Sequence, residues 1–266
     1  MPLAAALPLL RKAAIALAIA AATAAAPLPA LAQAKPADLT DAQKSAVREM
    51  IRSYLLENPE VIQEALVELD RRQKDAEKTA TKAALSQVAA TLVQSPRNIV
   101  LGNPTGDVTL VEFFDYNCGY CKKSLADIRE LSKSDPKLRI VIRDFPVLGP
   151  DSVEASFVAV AVKNQLKGDK YFDYHQKLLE SKGRVGKERA LAVAKELGVD
   201  QARLTKDLES PETRAAVEET MRVADILKLQ GTPAFVIGDD VLFGSQGVEP
   251  LRGAIASVRQ CGKATC

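Results

Sequence analysis

Val108-Thr109-Leu110-Val111-Glu112-Phe113-Phe114-Asp115-Tyr116-Asn117-Cys118-Gly119-Tyr120-Cys121-Lys122 decides how this chain folds. Leu110 and Phe114 fall on one face of the run, Val111 and Phe113 on the other. A strand apolar on both faces is a central strand covered from both sides. Cys118-Gly119-Tyr120-Cys121 follows at once and leads into Leu125, Ile128 and Leu131 at helical spacing. Cys118 therefore stands at a helix N-terminus, where free backbone N–H groups and the positive end of the helix dipole stabilise a thiolate. The thiolate is the form that attacks disulfides. Cys121, one turn on, is within reach to resolve a mixed disulfide. A Cys-x-x-Cys pair can also be half of a zinc site or a static bridge. Zinc wants four ligands, and His175 is the only histidine. Cys261 and Cys266 could complete an all-cysteine set, but in an oxidising compartment such a pair forms a disulfide instead. The reading expects neither a metal nor a cofactor.

Outward from this segment the pattern alternates. Asn98 to Leu101 is a short strand, 102–106 a loop, and Leu138 to Ile142 a second buried strand. A long helical region runs from about 151 to 229, with breaks at Gly168, Gly183, Gly198 and Pro211. Ala234 to Ile237 and Val241 to Phe243 flank Gly238-Asp239-Asp240 as a hairpin, and Val248 to Val258 closes the chain as a helix. This order predicts an α/β fold with a large helical insertion.

Upstream, Asp38 to about Val93 reads as helix, capped by Thr40 or Asp41 and interrupted at Asn58-Pro59. Val47, Met50, Ile51, Tyr54 and Leu55 form one apolar stripe, and Val61, Ile62, Ala65, Leu66 and Leu69 another. Arg71 to Lys78 is polar on nearly all sides, a solvated connector. Two short amphipathic helices cannot bury both stripes in a core of their own. The stripes require either the following domain or another copy of the segment.

The first residues address the compartment. Arg11 and Lys12 precede an Ala-rich apolar run from Ala13 to Ala26; Pro27 and Pro29 break it, and Ala30-Leu31-Ala32-Gln33-Ala34 follows. Charge, apolar run and Ala-x-Ala site form the pattern of a secretory signal peptide, with cleavage after Ala32 or, preferably, Ala34. Four cysteines remain after that cut. The net charge of +2 gives no basis for a nucleic-acid partner.

The segment from Glu112 to Lys122 resembles the active site of the DsbA branch of periplasmic thioredoxin-fold proteins, and most closely the ScsC-like proteins associated with suppression of copper sensitivity. Gln230-Gly231-Thr232-Pro233-Ala234-Phe235 resembles that family's cis-proline loop, and Tyr54 to Glu60 its helical N-terminal segment. The resemblance implies a thioredoxin-like fold in residues 95–266, a signal peptide in 1–34, and an oligomerisation segment with its connector in 35–94. It further implies a homo-trimer acting in the periplasm as a disulfide isomerase on unfolded or misoxidised exported proteins. A membrane thiol-redox partner would keep it reduced. Thr232, Pro233, Gly119 and Tyr120 are the implied substrate contacts; sequence alone favours a trans bond before Pro233. The strongly oxidising DsbA proteins carry a Cys-Pro-His-Cys motif, whose histidine stabilises the thiolate. Gly119-Tyr120 lacks it, which points to a less oxidising protein.

Glu112 stands out on physical grounds, because it shares the Leu110/Phe114 face of a buried strand, where an ionised carboxylate is costly. A buried acid there could take the proton of Cys121, the role the resemblance implies; the alternative is an edge-exposed or salt-bridged glutamate. Cys261 and Cys266 read as a structural disulfide pinning the tail, with a second redox pair as the alternative. His175 reads as a structural or surface histidine, and Tyr116 and Tyr120 as an apolar rim around Cys118. Three further functions stay open at this point: a monomeric DsbA-like oxidase, Cu(I) held by two soft thiolates, and a purely structural, chaperone-like clamp that uses the helical arms.

Overall fold

The computed structural model describes residues 38–266. The signal peptide expected in 1–34 lies outside the described residues. The chain divides into two compact units after Ile62. In the first, helix α1 (Asp41–Glu57) starts on a capping box: the Thr40 side chain accepts from Gln43 N–H while the Gln43 side chain accepts from Thr40 N–H. None of its residues is buried, so the stripe of Met50, Ile51 and Tyr54 stays open to solvent. Helix α2 (Glu60–Gln94) begins just after Pro59, where proline's missing N–H costs nothing. Its charged middle holds itself together by i,i+3 and i,i+4 pairs, with Arg71 bonded to Glu68 and Asp75, and Lys74 to Asp70.

The second unit is built on a five-stranded mixed sheet of order β1-β3-β2-β4-β5. Its strands are β1 (Ile99–Gly102), β2 (Val108–Phe114), β3 (Leu138–Asp144), β4 (Ala234–Ile237) and β5 (Asp240–Phe243). Strands β2 and β3 run parallel, joined by helix α3 (Gly119–Ser134); the other pairings are antiparallel. The β1–β2 loop passes so close to the start of β3 that a Cβ on Gly106 would lie 2.5 Å from the Lys137 carbonyl oxygen.

Helices α4 (Pro150–Val162), α5 (Asp169–Leu179), α6 (Lys187–Glu196), α7 (Gln201–Glu209) and α8 (Pro211–Ile226) form the insertion between β3 and β4, and α9 (Val248–Cys261) closes the fold. One sheet face, carrying Leu110, Phe114, Ile140 and Ile142, shares a core with Leu125 and Ile128 of α3, Tyr174 of α5 and Leu251 of α9. The opposite face, carrying Val111, Phe113, Val141 and Val236, is covered by Val223 of α8 and by Leu85, Val88 and Leu92 from the end of α2. Those last three recur at helical spacing, and they lie on the N-terminal side of the expected boundary at 94/95. The end of α2 is thus part of the core beneath the sheet.

A charged network reinforces this seam. Arg143, buried on β3, donates to Glu219 of α8 at 2.7 Å and to the Thr91 carbonyl at 3.3 Å, while Arg97 bridges Glu219 and Glu212. Cys261 and Cys266 are joined by a disulfide at the end of α9. The loop they enclose donates the Ala264 N–H to Asp239 in the β4–β5 turn, and Asp239 also pairs with Lys82 of α2.

Candidate active site

Strand β2 carries the site to the end of the sheet, and the turn after it aims the chain into α3. Asp115 organises that turn. One of its oxygens accepts from Asn117 N–H at 2.7 Å and Ser152 Oγ at 2.7 Å; the other accepts from the N–H groups of Val147 and Leu148. Asn117 in turn clasps Val185 through both its backbone N–H and carbonyl. The turn before Cys118 is thereby tied to the loop after β3 and to the insertion, which fixes where the thiol stands.

Cys118 occupies the N-cap of α3, with its sulfur facing the N–H groups of Tyr120 and Cys121 in the first turn. Both Cys118 and Cys121 are free thiols. Only 6% of Cys118 is exposed, and its Sγ lies 3.2 Å from the carbonyl oxygen of Thr232, which precedes a cis peptide bond to Pro233. The Cys118 thiol is lowered to about 5, chiefly by the hydrogen bond from the Cys121 thiol, with the Thr232 side chain and the N–H groups of Cys121 and Tyr120 adding to it. Cys121 is fully buried, and desolvation pushes its thiol far upward, with Cys118 and Glu112 adding to the shift. The two sulfurs are thus sharply divided: one ionised at neutral pH, the other held as a thiol.

Glu112 sits mid-strand on β2 opposite Phe235 of β4, only 3% exposed. This is neither an edge position nor an ion pair: its hydrogen-bond partner among the described residues is Ser124, whose Oγ stands 2.9 Å from Oε1. Burial pushes its carboxyl up to about 8, against the opposing pull of Ser124. A second buried acid, Asp144 at the end of β3, has no hydrogen-bond partner on either oxygen among the described residues. Desolvation raises it to about 8 as well, although Ser156 stands near enough to oppose the shift in part.

The expected aromatic rim divides. Tyr120 is 67% exposed beside Cys118, but Tyr116 is 0% exposed and no part of a rim. The turn at Asp115 swings Tyr116 inward, where it packs edge-on against Phe114 at 4.9 Å between ring centroids and meets His175 Nδ1 at 3.3 Å. His175 is buried with it, and desolvation lowers its imidazole to about 3, which keeps it neutral. On the far side of Thr232 and Pro233, Phe243 is exposed and lines a shallow, largely apolar hollow with Gln230, Gly231 and Gly244. The structure therefore gathers Cys118, Cys121, Gly119, Tyr120, Thr232 and Pro233 at one end of the sheet, with Glu112 beneath them and the Cys261–Cys266 bond at the end of α9. Sequence reasoning passed over Ser124, Asp115 and Asp144. For Ser124 a signal was present: it is the one small polar residue in the buried stripe of α3.

Residues 94–257 match the family described as Thioredoxin, and residues 43–76 match the Copper resistance protein ScsC N-terminal domain. Among solved structures, the chain is similar to a thioredoxin-like oxidoreductase from Silicibacter pomeroyi, with 38% identity over 65% of this chain and 98% of that one, at a TM-score of 0.61. It is similar to the thiol-disulfide exchange protein alpha-DsbA2 from Wolbachia pipientis at 30% identity, covering 69% and 98% of the two chains, TM-score 0.64. Proteus mirabilis ScsC in a transitional conformation matches at 26% identity over 81% of this chain and 94% of that one, TM-score 0.59. A curated relative, the Na(+)/H(+) antiporter NhaA 1 of Salinispora arenicola, is 28% identical over 62% of this chain. The chain spans about a quarter of that relative's length.

Proposed function

The chain belongs to the thioredoxin family, within its ScsC- and DsbA-like thiol–disulfide oxidoreductases, and we propose that it is an exported disulfide isomerase and reductase of misoxidised proteins. The observation that carries its thiol–disulfide chemistry is Cys118 at a helix N-terminus, beside the Thr232 carbonyl and in front of the buried Cys121. The open stripe on α1 is what favours an assembled isomerase over a monomeric oxidase. The Cys118 thiolate attacks one sulfur of a substrate disulfide; the old S–S bond breaks, and a mixed disulfide and a substrate thiolate result. That thiolate attacks another disulfide of the substrate, the thiolate so freed attacks the substrate sulfur of the mixed disulfide, and Cys118 leaves as the thiolate with the substrate's disulfides rearranged. When rearrangement stalls, Cys121 passes its proton to Glu112 and attacks Cys118. The substrate leaves reduced by two electrons, and the enzyme holds a Cys118–Cys121 disulfide. A membrane thiol-redox partner in the periplasm returns it to the dithiol. Thr232, Pro233, Gly119 and Tyr120 form the surface against which the substrate chain lies, and the Cys261–Cys266 bond is structural.

The open stripe of Met50, Ile51 and Tyr54 on α1 and the match of residues 43–76 to the ScsC N-terminal domain support assembly through the N-terminal segment; a homo-trimer is the assembly that the family resemblance implies. A monomeric oxidase is the second reading, favoured by a Cys118 thiol as low as about 5, because stabilising the reduced form makes the disulfide more oxidising. The same ScsC match, together with two free thiols, supports Cu(I) as an alternative cargo. Recovery of activity from a test enzyme with scrambled disulfides separates these readings. The full chain should restore activity, and both Cys118→Ser and the oligomer-breaking pair Met50→Glu/Tyr54→Glu should lose it. If the chain only oxidises reduced substrate, and the Met50→Glu/Tyr54→Glu protein does so equally well, the oxidase is the correct account. Retention of one Cu(I) per dithiol with no turnover of either substrate would select the cargo reading.

A further inference from the structure

The chemistry assigned to Cys118, Cys121 and Glu112 leaves Ser124 without a task, yet this hydroxyl is fully buried at their centre. Its oxygen lies 2.9 Å from Glu112 Oε1 and 3.1 Å from the Cys121 carbonyl oxygen. A hydroxyl has one proton to donate and two lone pairs with which to accept. It therefore cannot serve both acceptors at once. A serine within a helix commonly returns its proton to the carbonyl three or four residues back. Fixed in that arrangement, Ser124 would leave an ionised Glu112 in an apolar core with no donor, which is the costly case for a buried charge.

We propose that Ser124 is the positioning residue for proton transfer between Cys121 and Glu112, its hydroxyl donating to Glu112 when that acid is ionised and turning to the Cys121 carbonyl, while accepting from Glu112, once the acid is protonated. The proposal rests on Glu112 acting as the base for Cys121. In the resolving step the Cys121 proton moves to the Glu112 carboxylate, the Cys121 sulfur bonds to Cys118, and the bond from Cys118 to the substrate sulfur breaks with its electron pair leaving on the substrate. Ser124 gains and loses no proton overall; it rotates between two acceptors already within reach. The ionised base waits in a hydrogen-bonded state, and the protonated acid finds an acceptor as soon as it forms. The opposing pull of Ser124 on the Glu112 carboxyl is the electrostatic counterpart of the first of these two states.

Single-turnover oxidation of the reduced full chain by a large excess of oxidised glutathione tests this, because excess disulfide makes resolution by Cys121 limiting. The rate plotted against pH should show a Glu112 inflection near 8 in the unaltered chain. Ser124→Ala should move it upward by half a pH unit or more and slow the reaction roughly threefold at pH 7. Ser124→Thr, which keeps a hydroxyl, should return the inflection to its place. A lower rate at every pH with the inflection unmoved in Ser124→Ala would mean ordinary packing and would overturn the proposal. Glu112→Gln should abolish the inflection. If it persists there, another group titrates, and the reading of Glu112 itself fails.

Discussion

Replacing Cys121 by alanine removes the largest single contribution to the Cys118 thiolate. The Cys118 thiol is lowered from an ordinary value of 9.0 to about 5, with the hydrogen bond from Cys121 the leading cause and Thr232 and two backbone N–H groups behind it. Moving a titration by one pH unit takes about 1.4 kcal/mol. A charge-assisted hydrogen bond contributes about 1.5–3 kcal/mol, so Cys121→Ala should raise the Cys118 titration by roughly one to two pH units. Cys121→Ser, which keeps a donor, should raise it less. The depressed value also stabilises the folded dithiol form, and the sign follows from linkage. The folded protein releases its proton through pH 5 and the unfolded chain only near 9. The stabilisation is therefore absent below 5, grows as pH rises through 7 and is complete above 9, and it moves the couple in the oxidising direction. The assay is the ultraviolet absorbance of the thiolate against pH, with the rate of alkylation as a second readout. A Cys118 titration near 9 in the unaltered chain, or one that stays near 5 in Cys121→Ala, would refute the argument.

The buried acid Asp144 should make the protein less stable as pH rises between about 4 and 8, because its folded value lies above its unfolded one and the native state gives up its proton later. Chemical denaturation across that range should show a slope about 1.4 kcal/mol per pH unit shallower in Asp144→Asn. Glu219→Ala strands the Arg143 guanidinium, two of whose nitrogens already lack partners among the described residues; equilibrium unfolding should report a loss of about 3–5 kcal/mol. Met50→Glu/Tyr54→Glu places charge on the open stripe of α1 and should leave a monomer of unchanged helix content by sedimentation and circular dichroism. A native mass that does not fall would locate assembly elsewhere.

Much of the fold could be read from local pattern, because the decisive signals are local. The two-faced apolar strand, the cysteine pair at its end, the hairpin turn and the Thr40 cap each depend on a few neighbouring residues. What escaped depends on the third dimension. Leu138 to Ile142 reads as a strand ending before Arg143-Asp144, since two charged residues normally mark an edge. Instead β3 runs through Asp144, because α4 with Ser156 covers the Asp144 side chain and α8 with the end of α2 covers Arg143. Tyr116 reads as rim because it neighbours the active cysteine, and only the path of the turn at Asp115 shows that it points into the core. Glu112 was legible from strand alternation alone, whereas its partner Ser124 required the packing of α3 over β2. Leu85, Val88 and Leu92 look like the continuation of a solvated helix until the sheet face beneath them is seen.

The central claim is that Cys118 is the attacking sulfur and Cys121 the resolving one. Its most direct test is to incubate reduced Cys121→Ser with a protein substrate carrying scrambled disulfides, quench with acid, and map covalent adducts by mass spectrometry. The account predicts a mixed disulfide that accumulates at Cys118 and is absent with Cys118→Ser. Adducts at Cys261 or Cys266, or no adduct while the substrate still rearranges, would contradict it.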